Sequence, residues 1–153
     1  MTAPVSRDEA LTRLVTAAEP AAATLLESAA RTATANSSDQ TATGRGVMLV
    51  LNVTSEAAAE TLALKIQGKD PVSGNYFDIA SFGTMYTSAS EAPTRTKAAV
   101  LYPGVLAADH VGVGAGTDGT IAKSGVLPAT WRAVVTHSST GSWTYSLAAV
   151  AIP

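Results

Sequence analysis

His110 and His137 are the only histidines in a 153-residue chain that contains no cysteine. Histidine is the side chain that most often serves as a general base near neutral pH, so any catalytic reading has to begin with these two. His137 precedes Ser138 and Ser139, which brings a base and two hydroxyl nucleophiles together in sequence. Adjacency along a chain does not create the geometry of a catalytic triad, and each histidine reads as a satisfied or exposed side chain. Two histidines this far apart also lack the short ligand spacing of a metal site. Gly112-Val113-Gly114-Ala115-Gly116-Thr117 has the glycine content of a phosphate loop. Its glycines are misplaced for dinucleotide binding, no Gly-Lys-Ser/Thr follows, and no helical pattern comes after it, so it reads as a surface loop. Asp109 and Asp118 flank that loop and are the kind of oxygen ligand calcium takes, but no metal site is assigned to them.

The acids and aromatics give the same answer. Asp70, Asp78 and Glu91 fall near strand ends, where a glycosidase would place its two carboxylates, yet no cleft aromatics accompany them and they read as solvated turn residues. Trp131, Trp143 and Tyr145 could form a sugar-binding platform; their alternation with aliphatic residues assigns them to the core instead. Asn36-Ser37-Ser38 and Asn52-Val53-Thr54 match the glycosylation sequon, but Met1 to Pro4 has none of the basic and apolar character of a secretion signal. The expectation is therefore a protein without catalytic residues, cofactor or metal, made in the cytoplasm.

Stepping outward from these residues, composition constrains what could position them. Hydrophobic residues make up 46% of the chain, enough for one domain to bury a real core, but aromatics account for only 5%. Charged residues are 14%, against about 25% in an average protein. So little charge implies that much of the surface is covered in an assembly. The net charge is −2 and the basic residues are scattered, which argues against nucleic acid as a direct partner. No apolar run approaches a membrane span of about 20 residues. With no thiols, the fold must be held by packing alone.

Ser6-Arg7-Asp8-Glu9 is a capping box, and Leu11, Leu14, Val15 and Ala18 follow at helical spacing up to Pro20. This predicts a short N-terminal helix or arm over residues 1–23, whose Leu11, Leu14 and Val15 are the candidate partner-binding residues. A strand or extended arm is expected near Thr24 to Thr34, then a loop from Asn36 to Gly44. Two-residue alternation begins after Gly46. It predicts a central strand over Val47 to Val53, a strand over Thr61 to Gly68, a turn at Asp70 to Asn75 and a return strand over Tyr76 to Phe82. Further strands are expected at Thr84 to Ser90, Lys97 to Tyr102, Ala129 to His137 and Trp143 to Ile152, with Val105 to Ser124 irregular. Residues 24–153 should thus form an all-β domain, an antiparallel β-sandwich or jelly-roll-like barrel of about seven or eight strands.

Several stretches carry a resemblance: Ser28 to Thr34, Gly44-Arg45-Gly46 leading into Val47 to Val53, Ile66 to Gly74, Leu101-Tyr102-Pro103-Gly104, Leu127 to Arg132, and the terminal Ala151-Ile152-Pro153. Together they resemble small virion proteins of tailed bacteriophages, often phages of actinobacteria. The likeness runs from about Leu25 to the end and consists of turn and strand signatures. It implies a structural component of the particle, with a capsid decoration or minor capsid protein first and a tail or head-to-tail connector second. A carbohydrate-binding module for host attachment is the third reading. The implied partners are the major capsid protein, other virion proteins and further copies of the chain, within the virion.

Overall fold

The computed structural model describes residues 22–88, 95–104, 110–111 and 119–153. The expected N-terminal helix with Leu11, Leu14 and Val15, the glycine loop with Asp109 and Asp118, and Glu91 lie outside the described residues.

The described chain forms β1 (Ala22–Arg31), β2 (Ala35–Asn36), β3 (Gln40–Thr41), β4 (Gly46–Ser55), β5 (Thr61–Lys69), β6 (Tyr76–Thr87), β7 (Arg95–Tyr102), β8 (His110–Val111), β9 (Gly119–Ser124), β10 (Thr130–His137) and β11 (Trp143–Ile152). They make two packed sheets. The first has the order β1-β11-β4-β7-β9-β8; the second runs β2-β10-β5-β6, with β3 also pairing β10. All pairings are antiparallel except β7 with β9. The protein is an all-β sandwich, as the alternation of its sequence implies.

The period of two explains which side chains fill the interior. Val47, Leu49, Leu51 and Val53 of β4 face Leu62, Leu64 and Ile66 of β5 across the core, joined by Trp131, Ala133 and Val135 of β10 and by Trp143, Tyr145, Leu147 and Ala149 of β11. These large side chains are buried, so their burial is the main driving force of folding. Close backbone approach sets one local constraint: a Cβ added at Gly46 would run into the carbonyl oxygen of Leu101 on the neighbouring strand.

Three expectations need correction. The two strands expected at Tyr76 to Phe82 and at Thr84 onward are one, β6, which passes through Gly83 at φ 70° with register shifts against β5. A positive φ there is a bulge geometry that glycine adopts without strain, so the turn-like residue bends the strand rather than ending it. Gly119–Ser124, expected to be irregular, is β9, and it pairs in parallel with β7. The expected loop from Asn36 to Gly44 contains the two-residue β3.

Candidate functional site

Two regions gather functional side chains: the outer end of the second sheet, around the β5–β6 turn, and a polar seam inside the sandwich.

The β5–β6 turn is tightly built. The Asp70 amide donates to Asn75 O (2.8 Å) and the Gly74 amide to Asp70 O (2.9 Å). The Asp70 carboxylate accepts from the Val72 amide (3.0 Å) and from the Ser73 hydroxyl. The Ser73 bond, followed by that of Val72, holds the Asp70 carboxyl below its ordinary range. Gly74 takes φ 74°, the left-handed conformation that closes the turn. Asp70 is thus a turn-capping residue, as expected from sequence.

This rigid turn presents apolar groups to solvent. Pro71, Phe77, Pro128 and Ala129, with Lys69, Asp70 and Thr130, line a shallow groove of about 540 Å³. Phe77 is 49% exposed; Val72, next to Pro71, and Val126, two residues before Pro128, are 94% and 72% exposed. Phe77, Ile79 and Pro128 occupy the space a Cβ at Gly68 would need, which props the phenyl ring at the sandwich end. Beside the groove runs a connected polar strip. Asp39 accepts from Lys69 Nζ (2.7 Å) and from the Tyr76 hydroxyl (2.6 Å), bonds that hold its carboxyl low and raise the lysine. Arg132 stacks on Tyr76 at 3.5 Å and donates to Gln67 Oε1 (2.9 Å). Gln67 in turn donates to Asp78 (2.7 Å), which also receives Lys65. Asp78 is held low first by Gln67 and then by Lys65. Both carboxylates in this strip are paired with lysines, and Arg132 is held by Gln67 and the Tyr76 ring, so the strip frames the groove with groups that are already engaged.

The interior seam holds the other candidates. His137 is buried, with Nε2 3.0 Å from the Tyr145 hydroxyl and Nδ1 unpaired among the described residues. Burial lowers the histidine below its ordinary pKa, against the pull of Glu60 and with the push of Arg31. Burial likewise raises Tyr145 to about 12. Glu60 accepts from the Gly141 amide (2.7 Å) and from Trp143 Nε1 (3.3 Å), tying the β4–β5 loop to the last hairpin. Ser138, the imagined nucleophile, instead accepts from the Thr61 amide at 2.8 Å. The histidine and serine therefore do not combine. Trp131 and Trp143 are 4% and 0% exposed and cannot form a sugar platform. The Trp131 indole N–H has no acceptor among the described residues, and the ring lines a cavity of about 130 Å³ between the sheets.

Sequence reasoning missed two residues. Lys97 points inward and is 2% exposed; its Nζ donates to Met85 O (2.7 Å) and lies 4.8 Å from the Tyr86 ring centre. The Tyr86 hydroxyl lies 2.7 Å from Arg95 O and 3.0 Å from Leu51 O. The signal was present, since Lys97 shares the parity of Ala99 and Leu101. Arg31 is the second. Its guanidinium donates to Glu27 O (2.7 Å), Ala29 O (3.1 Å) and Tyr145 O (2.8 Å). It lies two residues past the β1–β11 register slip between Leu26 and Ala29, and its side chain reaches back to supply donors to Glu27 O and Ala29 O where the ladder is interrupted.

No group of three or more potential metal-ligating side chains occurs among the described residues, and no described helix is long and apolar enough to cross a membrane. In comparison with known proteins, the chain matches no protein-family model and no curated protein sequence.

Proposed function

We propose that this protein is a non-catalytic structural subunit of a tailed-phage particle, a decoration or minor capsid protein that binds the head surface and stabilises the shell. The observation that carries the reading is the apolar end of the sandwich. Phe77 stands half-exposed in a groove with Pro71 and Pro128, Val72 stands exposed on the rigid turn next to Pro71, and Val126 is exposed two residues ahead of Pro128, in a chain with only 14% charged residues. Exposed apolar surface of this kind marks a contact with another macromolecule, and a rigid turn presents it at low entropic cost. The polar seam around His137 serves packing, which is consistent with a protein whose output is contact. The resemblance of its turn and strand segments to small virion proteins supplies the identity of the partner: the major capsid protein, with further copies of this chain beside it.

Quantitative mass spectrometry of purified particles tests this directly. Hundreds of copies per particle are expected for the head surface, and Phe77→Asp with Val126→Asp should reduce incorporation while leaving the fold intact. A few copies, or a few dozen, would move the protein to the connector or tail. Absence from the particle would end the reading.

A further inference from the structure

The outer side of the first sheet carries two cross-strand rows without a single charged side chain. One runs Thr24, Ala148, Val50, Ala98, Thr120. The other runs Ala22, Val150, Met48, Val100, Ala122. Directly opposed side chains sit close enough to form a continuous surface, and these rows span five neighbouring strands. Every described strand belongs to one of the two sheets, so no described strand covers this side. An antiparallel sheet normally turns a polar face to water on its uncovered side. The second sheet does so with charged and polar groups, Lys65, Gln67, Asp78 and Arg132; on the first sheet the adjoining row of Ser146, Asn52 and Thr96 is polar but uncharged, and the two rows beyond it are mostly apolar.

The chain itself holds a matching piece. The twenty-one residues ahead of Ala22 contain Leu11, Leu14, Val15 and Ala18 at helical spacing, an apolar stripe that needs a partner. They join the described chain at Ala22, which is the first member of the second row. Dimensions agree. A helix from Ser6 to Glu19 would be about 21 Å long at 1.5 Å per residue. The four strands from β11 to β9 span about 14 Å at 4.8 Å spacing. The three-residue step from Glu19 to Ala22 reaches at most about 11 Å, which matches the roughly 10 Å between packed layers and lets the helix run back over the sheet. Attachment to the same chain also gives the stripe a high effective concentration at this face.

We propose that residues 1–21 pack on the outer face of the first sheet of their own chain, with Leu11, Leu14 and Val15 against Met48, Val50, Ala98 and Val100, making a third layer of the domain. This does not depend on which particle the protein serves.

The absence of cysteine makes the test clean. In the full chain, Leu14→Cys combined with Val50→Cys is treated with a short thiol-to-thiol cross-linker at low protein concentration. Leu14→Cys with Ala63→Cys, on the outer side of the opposite sheet, is the control. The expected result is an intramolecular product migrating as a monomer, at least tenfold more abundant than in the control. A covalent dimer would assign the face to a second copy's segment and overturn the proposal, as would equal cross-linking of the two pairs. As an independent measure, Leu14→Asp and Val50→Asp should be non-additive in a double-mutant cycle. Additive effects would also overturn it.

Discussion

Replacing Arg31 with alanine isolates what holds the first strand in place. β1 buries one side chain, Leu25, and its pairing with β11 slips twice, so packing alone anchors it weakly. The guanidinium contacts three carbonyl oxygens, of which only that of Tyr145 lies in a partly buried bond. A partly buried charged bond is worth about 1.5 kcal/mol. The two exposed bonds contribute about 0.5 kcal/mol each at most, after solvent screening. Stacking over the Tyr145 ring at 4.7 Å adds about 0.5 to 1 kcal/mol. Ordering the arginine side chain costs about 1.5 to 2 kcal/mol in return. The net is about 1.5 kcal/mol, equivalent to roughly a tenfold change in the opening equilibrium of β1. Native-state hydrogen exchange reads it strand by strand. In Arg31→Ala, β1 amides bonded to β11 should exchange about tenfold faster, while β4 and β7 amides change less than threefold. Arg31→Lys should recover less than half of the protection, because an ammonium lacks the planar fork that reaches several carbonyls at once. Unchanged β1 protection, or an equal loss in every strand, would refute the idea that Arg31 bridges the irregular part of the ladder.

Other expectations follow from the interior. Because burial depresses His137, the unfolded chain binds a proton that the folded chain refuses; stability should fall as pH drops below about 6.5, with a limiting slope near 1.4 kcal/mol per pH unit. Chemical denaturation between pH 7.5 and pH 5 measures this, and His137→Gln should flatten the profile. Trp131→Ala should cost about 3 to 5 kcal/mol because the ring is 4% exposed, a loss visible as a lower denaturation midpoint. Trp131→Phe should cost far less, since it also removes an indole N–H that has no described acceptor. Tyr86→Phe should cost about 1 to 2 kcal/mol by withdrawing a hydroxyl from the carbonyls of Arg95 and Leu51, again read by denaturation.

The interior of the sandwich was legible from the chain alone. Alternation at Trp131-Ala133-Val135 and Trp143-Tyr145-Leu147 placed both tryptophans inside, because in a strand the side chosen by one residue determines the side of the next two positions along. The turn at Asp70 to Asn75 was legible for a similar reason, its residues being those that close a turn by local bonds. The seam was not. His137 meets Tyr145 and feels Glu60 and Arg31, groups brought from three other parts of the chain. Phe77 looked like an ordinary strand residue, and its exposure depends on Gly68 and Pro128 lying beneath it.

β6 and β9 show where local rules stop. A glycine at position 83 signals a break, but β5 pairs with the chain on both sides of it, through register shifts, and carries the strand past it. Gly119–Ser124 has too few large residues to announce a strand, and it becomes one by pairing in parallel along β7. Residue type and spacing therefore determined most of the long strands, the direction of most of their side chains and the scarcity of chemistry-bearing groups. Tertiary structure decided which strands became neighbours, which apolar residues were left in water and which charges were enclosed, because those outcomes depend on contacts between residues far apart in the chain.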